Sequence, residues 1–256
     1  MIHYHGTPIT PESAAVQILK GRHAMVSFAN PDQIGVVAEV CQSFAVDNGA
    51  FTAWKQGRKV DWNEYVEWVD GWRRHPGFDW ALVPDVIDGD ERANDELLEW
   101  WPLKRIGVPV WHLHESLDRL SRMYARYDRI AIGSSGEFYT IGTVKWWNRM
   151  AEAMRCVTFD GAPGVKLHGL RMLDPEVFTR FPFASADSTN VARNIGLDSR
   201  WKGSYQPPSK AARGVVLAER IEAHQSAAKW ADCAIQGMLF SPLESELGAY
   251  GTPPQS

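Results

Sequence analysis

An α/β fold, a closed (β/α)8 barrel of the TIM type with a C-terminal helical extension, is predicted by three observations. Eight short apolar runs recur along the chain, separated by helices or helix-sized segments. The runs lack clean apolar–polar alternation, which suits parallel strands buried on both faces. Polar residues gather at the ends of the runs that precede helices, where a barrel of this kind carries its site. Spacing alone leaves a doubly wound open sheet as the rival.

The first strand, Ile2 to His5, turns at Gly6-Thr7-Pro8 into a helix starting near Thr10-Pro11-Glu12, with Thr10 as cap and Pro suited to the first turn. Ala24 to Ala29 is the second strand, and Gln33 to Ser43 has apolar residues at helical spacing. The third strand, Phe44 to Val46, rises to Asp47 and breaks at Asn48-Gly49-Ala50, a turn that Gly permits. Asp61 caps a helix striped by Trp62, Tyr65, Val66, Trp68 and Val69. Trp80 to Pro84 runs into Asp85, and a helix follows around Ala93 to Leu103. Strand five, Val108 to Leu113, ends in His114-Glu115, and strand six, Arg129 to Ile132, ends in Gly133-Ser134-Ser135-Gly136-Glu137. Leu117 to Tyr127 and Val144 to Cys156 read as helices, Val165 to Leu170 as strand seven, and Phe181 to Ala186 as strand eight before Asp187. Ser209 to Met238 is a long helical tract.

No internal boundary or repeat beyond the βα unit interrupts the 256 residues. One domain is expected over 1–256: a barrel core to about residue 195, a helical extension over about 205–240, and a loose Gly/Pro/Ser tail over 248–256. With 45% hydrophobic and 23% charged residues the chain can bury a large core. No run is membrane-length and the N-terminus lacks a signal-peptide pattern, so a cytoplasmic protein with no membrane contact is expected. Cys41, Cys156 and Cys233 stand far apart, which suggests buried thiols rather than disulfides or a zinc clip.

The net charge of −4 argues against a generally basic nucleic-acid coat. Local clusters remain at Lys55/Arg58/Lys59, Arg73-Arg74-His75 and Arg193/Arg200/Lys202/Lys210/Arg213. Most such clusters are solvated surface. Twelve tryptophans are more than one core absorbs, which leaves some for a ligand, a nucleic acid or a second copy of the chain in a homodimer.

On a barrel, Asp47, Asp85, Glu115, Glu137 and Asp187 converge on one mouth from five strands. Crowded carboxylates raise one another's pKa, so that one holds a proton while another attacks as an anion. Taken singly, four of them have plainer roles: Asp47 and Asp187 as turn formers, Asp85 as a cap, Glu137 as a loop contact. The Gly133–Glu137 loop allows close approach of a flat ligand but lacks the spacing of a phosphate or dinucleotide fingerprint, so no cofactor is indicated.

Asp47-Asn48-Gly49-Ala50-Phe51 resembles the Asp-Ser-Gly-Gly-Phe turn of the tRNA-guanine (queuine) transglycosylase superfamily. In the same order, Val83-Pro84-Asp85 resembles that family's base-reading Asp, Ile132 to Glu137 its glycine-rich strand and Glu, and Phe183 to Thr189 the stretch around its nucleophilic Asp. The likeness covers roughly Ile2 to Arg193 and is nearest to the compact branch that inserts 7-deazaguanines into phage or bacterial DNA. It implies exchange of guanine in DNA for a free 7-deazaguanine base. Asp187 is the implied nucleophile and Asp47 the implied base. Asp85, Glu137, the Gly133, Ser134, Ser135 and Gly136 backbone, Phe51 and His114 would hold the purine. Arg193, Arg58, Lys59 and Lys202 are the implied phosphate contacts. The family's cysteine-rich zinc motif has no counterpart, so no metal is inferred and tRNA is the less favoured polymer. Asn48, Ala50 and the His112-Leu113-His114-Glu115 stretch depart from the family pattern.

Two other classes fit parts of the chain. A metal-dependent amidohydrolase-like enzyme would use His3 and His5, two apart on strand one, with His168 and Asp187. A binding barrel without catalysis would rest on the tryptophans and arginines alone.

Overall fold

A computed structural model describes residues 1–196, 201 and 205–232. β1 (Ile2–Gly6) leads into α1 (Glu12–Leu19), β2 (His23–Ser27) into α2 (Ile34–Val40), and β3 (Ser43–Asp47) into α3 (Ala50–Lys55) and α4 (Trp62–Trp72). β4 (Phe78–Leu82) is followed by α5 (Glu91–Trp100), and β5 (Gly107–Val108) with β6 (Val110–His112) by α6 (Leu117–Arg126). β7 (Arg129–Gly133) precedes a 3-10 turn, Gly136–Phe138, and α7 (Val144–Val157). A small hairpin, β8 (Thr158–Phe159) and β9 (Ala162–Pro163), leads to β10 (Lys166–Gly169), α8 (Pro175–Phe178), β11 (Ser185–Ser188), α9 (Asn190–Asn194) and α10 (Lys210–Glu222).

The main sheet has nine strands in the order β5-β4-β3-β2-β1-β11-β10-β7-β6. All its pairings are parallel. Its two ends are consecutive in the chain. Val83 N–H donates to Val108 O and Ala131 N–H to Pro109 O, each at 2.9 Å, so the ladders on either side meet at Pro109 and the sheet is nearly closed.

Period-two alternation sorts the side chains into two cores. Tyr4, Met25, Ala45, Trp80, Leu82, Val108, Val110 and Ala131 cluster within the ring of strands. Their sequence neighbours, including Phe44, Val46, Ala81, Ile130 and Ile132, pack with the helices. A register shift in β4 between the partners of Phe44 and Val46 turns Asp79 and Trp80 both towards Tyr4.

Several boundaries differ from expectation for local reasons. α1 is capped by Pro11 without a side-chain bond, so Thr10 is not its cap. α2 stops at Val40, because Ser43 is already paired with His23 in the sheet. α3 and α8 were not foreseen; α8 is four residues long and starts on the Asp174 cap. The last strand begins at Ser185 rather than Phe181, since Phe181 and Phe183 pack into the helix-side core. The helical extension is shorter than expected: α10 ends at Glu222 and residues 224–227 are irregular. Residues 233–240, the tail over 248–256, Cys233 and Lys202 lie outside the described residues. Cys41 and Cys156 are free and half-buried.

α10 packs on α1, where a Cβ on Gly214 would overlap Ile18. Its last residue, Glu222, takes bonds from His5 Nε2 at 2.8 Å and Arg22 Nε at 2.9 Å. No helix among the described residues is long and apolar enough to cross a membrane.

Candidate active site

A cleft of about 760 Å³ opens at the C-terminal ends of the strands. Asp47, Asp85 and Asp187 all line it, with Phe51, Gly133, Ser134 and Arg193. Each carboxylate is held differently.

Asp47 is the last residue of β3, paired in register with Ser27 of β2. The next two residues explain its aim. Gly49 turns the chain at φ 78°, and a Cβ there would lie 2.8 Å from Ala29 N, so only glycine fits. Asn48 is buried and staples the turn, accepting from Ala50 N–H and donating to Val83 O at 2.8 Å. Burial pushes the Asp47 carboxyl up to about 6, the nearby Asp187 and Asp85 charges add to this, and Ser27 and the Gly49 amide work against it.

Asp85 is fixed from both sides. Asn48 Nδ2 donates to its Oδ1 at 2.5 Å, and His112 Nε2 lies 2.7 Å from its Oδ2. Burial disfavours the charged His112 ring, but the bond to Asp85 and the charges of Asp85 and Glu115 outweigh it and raise its pKa. The two residues form a buried ion pair.

Asp187, on β11, stands beside Tyr4 in the β1 register. Its Oδ1 accepts from the Arg171 backbone N–H at 2.9 Å and faces His168 Nε2 at 3.3 Å. His168 is fully buried, and that burial lowers its pKa despite Asp187. The neutral tautomer satisfying both its contacts carries the proton on Nε2, with Nδ1 accepting from Ser185 Oγ at 2.8 Å. None of the hydrogen bonds among the described residues uses Asp187 Oδ2, which leaves that oxygen for the cleft.

Arg171 was not foreseen and organises the rim. It holds a left-handed backbone at φ 59°, at a cost on the order of 1 kcal/mol for a non-glycine residue. Its guanidinium donates to Ser134 O at 2.9 Å and lies 4.2 Å from the Phe51 ring centroid. Tyr139 stacks on Phe51 with centroids 6.1 Å apart and is half-exposed. Lys55, on the same helix as Phe51, also lines the cleft. Nothing local in the sequence signals Arg171 or Tyr139, because a positive φ and a cross-loop stack are tertiary facts; Lys55 was visible only as part of a basic cluster.

Other expected site residues lie elsewhere. Glu137 sits in the 3-10 turn, exposed and paired with Lys145, so it does not face the cleft. Glu115 is buried in a structural knot, 2.6 Å from Arg119 Nη1 and accepting from Asn94 and His112 N–H. Ser135 and His114 bond each other at 2.7 Å beside the cleft, and neither they nor Gly136 line it. Gly136 is left-handed, with its Cβ position 2.8 Å from His114 Cβ. Arg58 and Lys59 are exposed beyond α3 and outside the lining, whereas Arg193 is exposed at its edge.

The hydrolase ligand set does not assemble. His3 Nε2 meets His224 O at 3.0 Å and His5 meets Glu222, both on the side of β1 that faces α10, while His168 and Asp187 point inward. No group of three or more His, Cys, Asp or Glu among the described residues has metal-holding geometry. Comparison with protein-family models, curated proteins and solved structures finds no match to this chain.

Proposed function

We propose that this chain is a transglycosylase that exchanges guanine in DNA for a free 7-deazaguanine base, on an eight-stranded (β/α)8 barrel in which residues 107–112 count as one strand. The observation that carries the reading is the shared cleft of Asp47 and Asp187: one carboxyl pushed up to about 6, the other held through Oδ1 with no hydrogen bond on Oδ2 among the described residues. About 760 Å³ suits a purine nucleotide.

The chemistry balances as a two-step displacement. Asp187 Oδ2 attacks C1′ of the target nucleoside, the C1′–N9 bond breaks, and N9 of the departing guanine takes the proton of Asp47. The incoming base then returns its N9 proton to Asp47, N9 attacks C1′, and the ester bond to Asp187 breaks. A carboxyl near 6 serves both halves at neutral pH. Asp85, with one bond already on each oxygen, keeps a lone pair on each for the purine N–H edge. Gly133 and Ser134 flank the opposite edge, and Phe51 and Tyr139 offer rings to a base turned out of the duplex.

The test is to incubate the protein with DNA or tRNA carrying labelled guanine, add candidate 7-deazaguanines, and measure label released. Release from DNA that depends on Asp187 is expected. Release from neither polymer would overturn the reading.

A further inference from the structure

A second groove, about 530 Å³, opens beside the cleft and shares Ile141, Arg171, Ser188, Thr189 and Arg193 with it. Three guanidinium groups line this groove: Arg171, Arg180 and Arg193. None of the three makes an ion pair with a carboxylate among the described residues, although the chain carries a net charge of −4 and the buried or half-buried Arg22, Arg119 and Arg149 are each paired. Two are held in place by something other than a counter-charge. Arg171 is fixed by Ser134 O and the Phe51 face, and Arg180 lies 4.8 Å over the ring of the buried Trp147. Asp174 and Glu176 line the same groove. Asp174 Oδ1 is taken up by capping α8 through Glu176 N–H at 3.0 Å.

Preset, unneutralised guanidiniums beside a reactive carboxylate are built for an anion with several acceptor oxygens. We infer that the groove holds the phosphodiester flanking the nucleotide whose base occupies the cleft, with Arg171 and Arg193 at the junction and Arg180 one step farther out. The chemistry fits the junction: the phosphates on either side of a nucleotide lie one sugar away from its C1′, and Ser188 and Thr189, next in the chain to Asp187, form the shared wall. Asp174 and Glu176 limit the track to one or two phosphates, because a longer polyanion would meet their charge. The inference rests on the nucleic-acid reading of the cleft, yet it concerns binding and is tested without turnover.

The experiment is fluorescence anisotropy of a labelled single-stranded oligonucleotide against the full chain across a salt series, with Arg180→Gln, Arg193→Gln and Arg180→Lys. Each Gln variant is expected to bind about 10-fold more weakly, with the slope of log K against log salt reduced by roughly 0.7. Arg180→Lys keeps the slope, which separates lost charge from lost packing on Trp147, and the melting temperature of each variant checks folding. Inorganic pyrophosphate, titrated directly into the full chain by calorimetry, is the second arm: micromolar binding of pyrophosphate with no oligonucleotide binding would identify a small phosphorylated ligand and overturn the inference. So would unchanged affinity and slope in both Gln variants. Intact oligonucleotide binding with no base exchange would leave this inference standing and sink the transglycosylase.

Discussion

Arg171 donates its backbone N–H to Asp187 Oδ1 at 2.9 Å while its guanidinium covers the face of Phe51. One residue therefore orients the proposed nucleophile with its main chain and builds the rim with its side chain, and the two roles separate by substitution. Arg171→Gly keeps the N–H and relieves the left-handed backbone, so folding stability should change by no more than about 1 kcal/mol. Base exchange should still fall, by roughly 10- to 100-fold, through weaker binding of the polymer. Thermal melting and kcat/KM measured together check this, and a loss confined to kcat would contradict it.

Asp187→Asn keeps an Oδ1 that accepts from Arg171 but lacks a nucleophilic carboxylate. Exchange should drop by at least about 10³-fold with oligonucleotide affinity nearly unchanged. The wild-type chain, denatured during turnover without incoming base, should carry a covalent sugar adduct that the variant lacks. Mass spectrometry of the trapped protein decides.

Asp47 links pH to both activity and stability. As the proposed proton donor to departing guanine, Asp47 should govern the first half-reaction through its protonated fraction, so single-turnover release falls as pH rises above about 6. Its folded pKa is raised from 3.8 to about 6, so the stability it contributes is fully present below pH 4 and is lost as pH rises through 6. Asp47→Asn should then be more stable than wild type at pH 7 by about 2 to 3 kcal/mol, with the difference vanishing near pH 4. Urea melts at the two pH values read the sign directly.

The His112–Asp85 pair is buried at 2.7 Å, so removing one partner strands the other's charge. His112→Ala should cost about 3 to 5 kcal/mol, and adding Asp85→Asn to it should recover part of that loss. Because the His112 pKa is raised, its contribution is complete below 6.5 and declines as pH climbs through the higher folded value. A double-mutant cycle at pH 6 and pH 9 measures both effects.

Gly49→Ala forces a Cβ to within 2.8 Å of Ala29 N at φ 78°. Destabilisation of about 1 to 3 kcal/mol is expected, with exchange lost beyond what unfolding explains, since Asp47 and Asn48 move with the turn. Equal losses of fold and activity would argue that the turn is only structural.

The strands and the carboxylates at their ends were legible because apolar runs and the polar residues that close them are local patterns. Asp47, Asp85 and Asp187 all reach the predicted cleft for that reason. Which way a strand-end carboxylate faces is not local. Glu115, three residues beyond β6, folds back onto His112 N–H because Arg119 stands one helical turn away in α6. Glu137 turns outward because the chain after β7 tightens into a 3-10 turn and offers it Lys145. His3 and His5 carry a spacing that suits metal binding, yet β1 parity turns both towards the end of α10 and the residues just after it. Arg171 depends on a backbone angle that no residue pattern announces.

Pro109 sits where the first and last hydrogen-bonded ladders of the sheet come together, and it has no amide hydrogen to give to either. The wall is therefore one donor short at a single meridian, opposite β1 and its dense neighbours. Amides flanking this seam, at Val108 and Val110, should exchange with deuterium sooner than those of β1 and β2, making residue 109 the hinge along which the cylinder first parts.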